Sequence, residues 1–407
     1  MRSTPRVLSF IRIFTLLTLS VAGAGCGYGQ VAETDSAGGV VHRIEVGAMP
    51  AAILHTNQFL EGKNVESRTM NHANAVTLKY ALMAPSRSLQ AATYKGAYQG
   101  IGVALHDFNP QLGNPVSAFI YQGATIVTMA PRLALNYEWN LGLAMGWRPY
   151  DAVDNPDNHV IGSRVTANIT AELYLTYRLN RWLDVNAGVS FTHFSNGNTK
   201  IPNAGLNTIG AKLALACYVN REATGRGSAC TSATRLPDEQ RRWQTDVLLY
   251  GAWKCKGVTI DDGGSFAIPG KYLVAGASVS PLRRMNPWLR LGAAADLVYD
   301  HSANIELSER VLNYSYWNGT DEDITQPAWY RQVALGVSAR VEFTMPYFSI
   351  NIGAGHHLLN AKGDFEGFYE MLALKVALGS KAFLNIGYSL YDYRYPNNLM
   401  LGLGYRF

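Results

Sequence analysis

Residues 161–179 alternate apolar and polar side chains without a break in register. The odd positions read Ile161, Ser163, Val165, Ala167, Ile169, Ala171, Leu173, Leu175, Tyr177 and Leu179, while the even ones include Arg164, Thr166, Asn168, Thr170, Glu172, Thr176 and Arg178. A period of two means a β-strand with one apolar and one polar face. Strands in globular sheets usually run to about 5–6 residues. This one has instead the length and pattern of a tilted strand crossing a bilayer, with lipid on one side and a wet lumen on the other. Ser163, the polar exception on the apolar stripe, is expected in the outer headgroup zone.

The same alternation returns near 91–107, 116–129, 132–149, 183–195, 207–219, 243–257, 271–283, 288–303, 329–344, 347–360, 368–379, 382–393 and 398–407, and more weakly near 42–56 and 74–84. That is 14–16 strands. In hydrocarbon an open sheet edge leaves backbone groups unpaired, so such strands must close, and bacterial barrels of this type have even strand numbers. The expected fold is all-β, a single transmembrane antiparallel up-and-down barrel of outer-membrane type spanning 42–407. Composition agrees. Charged residues are 16%, against roughly 25% in soluble proteins. Mean hydropathy is only -0.04, too low for a helical membrane protein, and no stretch reaches the roughly 18 uninterrupted apolar residues of a spanning helix. A net charge of +5 with no long basic run excludes a nucleic-acid partner. The soluble alternative is a β-sandwich with an unusually apolar outer face. Leu399, Leu401, Leu403, Tyr405 and Phe407 share one face of the last strand, an ending similar to the signal read by the outer-membrane assembly machinery, which is the expected partner in biogenesis.

At the other end, Arg2, Arg6 and Arg12 precede an apolar stretch from Ile13 to Val21 and the small residues Ala22-Gly23-Ala24, the layout of a secretory signal over 1–25. Cys26 leaves lipoprotein processing open as an alternative, and 26–41 form a short segment before the barrel. Export permits disulfides. Cys217 and Cys230 flank a polar stretch and are expected to pair, with Cys255 left over. Short turns at 129–131, 180–182, 284–286, 345–346 and 379–381 alternate with long polar connections at 150–160, 196–206, 258–270, 304–328 and 361–367. Short turns are periplasmic in such barrels and long loops external. Residues 220–242 break the rule, being long yet on the periplasmic side.

The chemistry concentrates at 183–207. Leu183, Val185, Ala187, Val189 and Phe191 continue one lipid-facing stripe, which ends at its outer tip in His193 and Ser195. On the returning strand Asn207 begins the matching stripe, ahead of Ile209, Ala211, Leu213 and Leu215, at the same level. Polar groups toward lipid are costly. Either headgroup water satisfies this pair, or a base and a hydroxyl have been placed together as an activated nucleophile whose abundant substrates are lipids.

His193-Phe194-Ser195-Asn196, followed by Asn203-Ala204-Gly205-Leu206-Asn207, resembles the lipid A 3-O-deacylase (PagL-type) family. The resemblance covers about 30 residues and the barrel character. The family is an outer-membrane barrel of about eight strands, much smaller than the one expected here, so most of this chain lies outside the match. The family's catalytic residues sit on the outside of the wall. By position the resemblance makes Ser195 the nucleophile and His193 its general base, and it assigns Asn203, with Asn196 and Gly205 beside it, to the oxyanion and substrate region. Asn207 stands where the family has a glutamate. Swapping the carboxylate of a serine protease for an amide costs about 10⁴ in rate, although an asparagine orients the histidine in cysteine proteases. Asn207 therefore implies a slower hydrolase, a compensating carboxylate or a lost activity. Lys200 is a candidate contact for a lipid A phosphate. No cofactor or metal is implied.

The resulting expectation is a serine esterase acting on lipid A or lipopolysaccharide at the outer-leaflet level of the outer membrane. The alternatives are a non-catalytic barrel, as a small channel or structural protein, and a barrel phospholipase. His356-His357 and Asp321-Glu322-Asp323 are weaker candidates for an ion.

Overall fold

A computed structural model describes residues 39–85, 89–221, 242–259, 265–312, 317–360, 362–392 and 395–407. The signal segment, Cys26 and Cys230, and with Cys230 the expected disulfide, lie outside them.

Among the described residues sixteen long strands are present, and they close as two barrels of eight, not as one barrel of sixteen. The first barrel comprises β1 (Val41–Leu54), β2 (His72–Met83), β3 (Tyr98–Asp107), β4 (Val116–Ala130), β5 (Leu133–Met145), β6 (Val165–Arg178), β7 (Leu183–Ser195) and β8 (Leu206–Val219). The second comprises β9 (Trp243–Lys254), β10 (Tyr272–Asn286), β11 (Leu289–Asp300), β12 (Val333–Thr344), β13 (Phe348–Leu359), β14 (Phe368–Ala377), β15 (Ala382–Tyr391) and β16 (Tyr395–Arg406). Every neighbour is antiparallel. Closure comes from β1 on β8, in register from His42↔Val219 to Leu54↔Asn207, and from β9 on β16. The two segments read as weak strands are both full barrel strands. The segment near 91–107 is strand only from Tyr98, being preceded by a short helix at Leu89–Thr93.

The two-barrel arrangement explains the long connection on the wrong side. Residues 220–242 are the link between the barrels and join β8 to β9 across the short-turn end. Alternation alone cannot separate one barrel of sixteen strands from two of eight, because the strand pattern is the same.

The lumens are filled. An eight-stranded barrel has an interior just wide enough for side chains. In the first barrel Lys79 lies 3.2 Å from Glu172, Lys212 lies 3.1 Å from Glu45, and Arg43 pairs with Glu45, all of them buried. Glu138 takes part through Lys79 at 2.5 Å. The second barrel holds Lys375 between Asp246 and Glu342 at 2.8 and 2.6 Å, with Arg406, Arg290 and an Arg340–Asp296 pair. A charge that enters a barrel must be paired to offset its desolvation, and these charges are. The wide solute lumen that a single large barrel would have is absent among the described residues.

The outer mouth of the first barrel is sealed by an apolar cap in which Phe59, Leu60, Phe108, Leu112, Trp147 and Phe194 are buried. The barrels also touch. On the outer wall Trp139 packs edge-on against Phe348, with ring centroids 5.7 Å apart, and the Tyr137 hydroxyl reaches the Met345 Sδ at 3.8 Å. These contacts lie toward the short-turn ends of β5 and β13. At the opposite, outer end the contacts come from the loop after β7 and from β9 and β16. Strands tilted by about 35–45° wind around a barrel as they rise, so one straight seam passes under different strands at its two ends.

Candidate functional site

The candidate site lies at the long-loop end of β7. Period two sends Phe194 inward, where it is 1% exposed and meets His106, Phe108 and Trp147 edge-on. Anchoring Phe194 in the cap fixes its two neighbours, His193 and Ser195, on the outside of the wall. Asn207 is the cross-strand partner of His193 on β8. Its Oδ1 lies 2.6 Å from His193 Nδ1. An amide oxygen only accepts, so Nδ1 is the donor in this contact. Asn207 thus fixes the orientation of the imidazole ring.

Ser195 Oγ accepts from Asn203 Nδ2 at 2.9 Å and from the Gly197 N–H at 3.2 Å. Asn203 is itself oriented, because its Oδ1 accepts from the Asn196 N–H at 3.0 Å, which turns the NH₂ toward Ser195. Asn196 is buried and donates from Nδ2 to the Lys200 carbonyl at 2.7 Å, closing the loop into a compact unit. Among the described residues no hydrogen bond joins His193 to Ser195.

Two glycines are required by the backbone. Gly205 has φ +77°, and a Cβ there would stand 3.1 Å from His193 Cε1. Gly197 has φ +63°, and a Cβ would meet the Leu399 side chain of the second barrel at 2.8 Å. Only glycine takes both the left-handed backbone and the close approach without strain. The Gly205 N–H donates to the Val160 carbonyl at 3.1 Å, so the preceding external loop braces the segment.

Lys200 is exposed on the loop. It lies close enough to Asp151 to act on its charge, although that carboxyl is held below its usual range chiefly by the Val153 and Asp154 N–H donors. Glu172, buried in the lumen with Lys79 and Lys212, is remote from His193 and compensates for nothing there. The acidic loop is a structural cluster, in which Asp323 binds Arg310 at 2.5 Å and Ser308 at 2.6 Å. No group of three or more potential metal ligands occurs among the described residues. His356 and His357 are held by backbone carbonyls instead.

Sequence reading missed three things. Gly197 was not singled out as a donor, although the Asn196-Gly197-Asn198 turn marks it. Phe194 was not recognised as the anchor between the two polar residues. Cys255, read only as left over, donates from its backbone to the Asn198 carbonyl at 2.8 Å and from Sγ to the Thr199 carbonyl at 3.3 Å. Cys255 and Leu399 together place the second barrel against the loop that carries the site, and no local pattern announces that contact.

Closed antiparallel barrels with apolar outer walls and filled lumens define an integral outer-membrane β-barrel protein. The family model of lipid A 3-O-deacylase (PagL) matches residues 80–216, and that of the acyloxyacyl hydrolase C-terminal domain matches residues 243–407. The chain belongs to the lipid A 3-O-deacylase family, with the acyloxyacyl hydrolase C-terminal domain as its second barrel. No curated protein matches it. Among solved structures it is similar to the FrpB iron transporter of Neisseria meningitidis (F5-1 variant), at 10% identity over 90% of this chain and 70% of that one, TM-score 0.23. It is also similar to the outer membrane protein Omp33 of Acinetobacter baumannii, at 8% identity over 90% and 98%, TM-score 0.16.

Proposed function

We propose that this protein is a serine esterase that removes an ester-linked acyl chain from lipid A in the outer leaflet. The observation that carries the reading is the 2.6 Å contact of His193 Nδ1 with Asn207 Oδ1, which leaves Nε2 as a base on the face that carries Ser195. In the reaction Ser195 Oγ attacks the acyl carbonyl carbon while its proton passes to His193 Nε2. Asn203 Nδ2 and the Gly197 N–H, already directed at Oγ, stabilise the oxyanion that forms on the attached carbon. The ester C–O bond breaks, and the proton on Nε2 leaves with the sugar hydroxyl. A water deprotonated by the same nitrogen then releases the fatty acid and frees Ser195.

Access fits a lipid. Below the site the outer wall exposes Phe191, Val189, Ile209 and Leu213, a surface along which an acyl chain lies without leaving the bilayer. Lys200, with Asn196 and Gly205 shaping the loop, supplies a cation beside the site for a phosphate of the headgroup. A hydrolase working on its outer wall needs no open lumen.

The test is mass spectrometry of lipid A from cells carrying the protein or its Ser195→Ala variant. The expected result is loss of one hydroxyacyl mass with the first and none with the second. Unchanged lipid A with both, the barrels being folded and inserted, overturns the proposal.

A further inference from the structure

The seam between the barrels ends, on the short-turn side, in a cavity that the esterase reading does not use. It has a volume of about 440 Å³ and lies between the two outer walls. Ala124 and Trp139 line it from the first barrel, and Trp288, Phe343, Phe348 and Ile350 from the second. The lining is mainly apolar, with Lys95 at its edge donating to the Ile126 carbonyl at 3.1 Å. Trp139 Nε1 donates to Gln122 Oε1 at 2.5 Å, and Gln122 Nε2 donates to the Tyr137 hydroxyl at 3.1 Å. A mainly apolar cavity binds water poorly, and one between lipid-facing walls in a bilayer is filled by hydrocarbon.

Tyr94 and Met345 line this cavity and also a second one of about 430 Å³ at the periplasmic mouth of the second barrel. Arg284, Arg290, Lys375, Lys381 and Arg406 line that mouth, and no carboxylate does. Asp246 and Glu342, behind it in the lumen, pair with Lys375, Arg406 and Arg290. Among the described residues Arg290, Lys375, Lys381 and Arg406 thus face two carboxylates, and Lys381 has no carboxylate partner there, its ammonium lying over the Tyr405 ring at 5.8 Å.

We infer that the turn end of the seam binds one anionic glycerophospholipid of the inner leaflet, with an acyl chain in the apolar cavity and the phosphate at the basic mouth. The level decides the source. The short turns place both cavities in the periplasmic half, out of reach of lipid in the outer leaflet and opposite in depth to His193. The excess of positive charge decides the headgroup, because a cation near an anionic lipid contributes about 1 kcal/mol, roughly fivefold in binding. The bound lipid would join the two walls where the cavity now separates them.

The experiment uses the full chain in phosphatidylcholine nanodiscs containing a minor fraction of phosphatidylglycerol. Phosphatidylglycerol with brominated acyl chains, which quench tryptophan on contact, is the probe, and brominated phosphatidylcholine is the control. Stronger quenching by the phosphatidylglycerol is expected. Trp288→Phe should remove part of it, and Lys381→Ala should weaken the preference about fivefold. Ala124→Trp, which fills the cavity, should abolish the preference while heat-modified gel mobility reports both barrels folded. Equal quenching by the two lipids overturns the inference. So does retention of lipopolysaccharide at this end, or a cavity closed by a second copy of the chain.

Discussion

The two barrels share a strand number, a closure and a charge-filled interior, yet they differ at one outward rim. The seventh strand of the first barrel ends outward in His193 and Ser195. The seventh strand of the second presents Leu384, Ile386, Tyr388 and Leu390 on the corresponding face. The connection that follows differs as well, with residues 196–205 in the first barrel against 392–394 in the second. The long connection supplies Gly197 and Asn203 to Ser195. The comparison teaches that the fold provides a wall and a level, and that chemistry needs two outward side chains together with a loop long enough to turn donors back onto them.

The comparison can be broken at several points. Ser195→Ala or His193→Ala should remove hydrolysis by on the order of 10⁴-fold or more, since members of such a unit fail together. Release of free fatty acid from purified lipopolysaccharide measures it, and barrel folding should be unaffected. Asn203→Ala takes away one oxyanion donor and should cost about 10²–10³ in kcat with little change in KM. Phe194→Ala empties the anchor between the two polar residues. A loss of about 3–5 kcal/mol is expected in denaturant titration of the first barrel, accompanied by reduced kcat and unchanged unfolding of the second barrel. Asn207→Glu returns a carboxylate to the imidazole and should raise kcat about tenfold, a part of the roughly 10⁴ that this exchange is worth in serine proteases. The smallest effect is the most discriminating one. Tyr388→His with Leu390→Ser places the same pair on the second barrel, and no measurable hydrolysis should appear in a Ser195→Ala background. Activity there would show that the loop donors are dispensable.

Much of this arrangement was legible in the sequence, and the limits have physical causes. Alternation at 161–179 marks a bilayer strand wherever it closes, so strand number and wall polarity could be read directly. The closing partner could not, because pairing β8 with β1 instead of β9 leaves the same alternation. The one sequence sign of two barrels was the length of 220–242 on the short-turn side. At the site, His193, Ser195 and Asn207 were readable because period two and antiparallel register set them side by side. Asn203 followed only from resemblance, since its contact with Ser195 depends on how the loop folds. Cys255 and Leu399 could not be found, because their approach to the loop is made by one barrel leaning on the other.

The paired charges inside both barrels have a consequence for the membrane as an insulator. Arg43, Lys79 and Lys212 are matched by Glu45, Glu138 and Glu172 in a lumen with no through passage among the described residues. The first barrel therefore enters the bilayer with its interior occupied by side chains. A filled barrel offers ions and small solutes no water-filled route, so raising the amount of the protein should leave leak conductance unchanged.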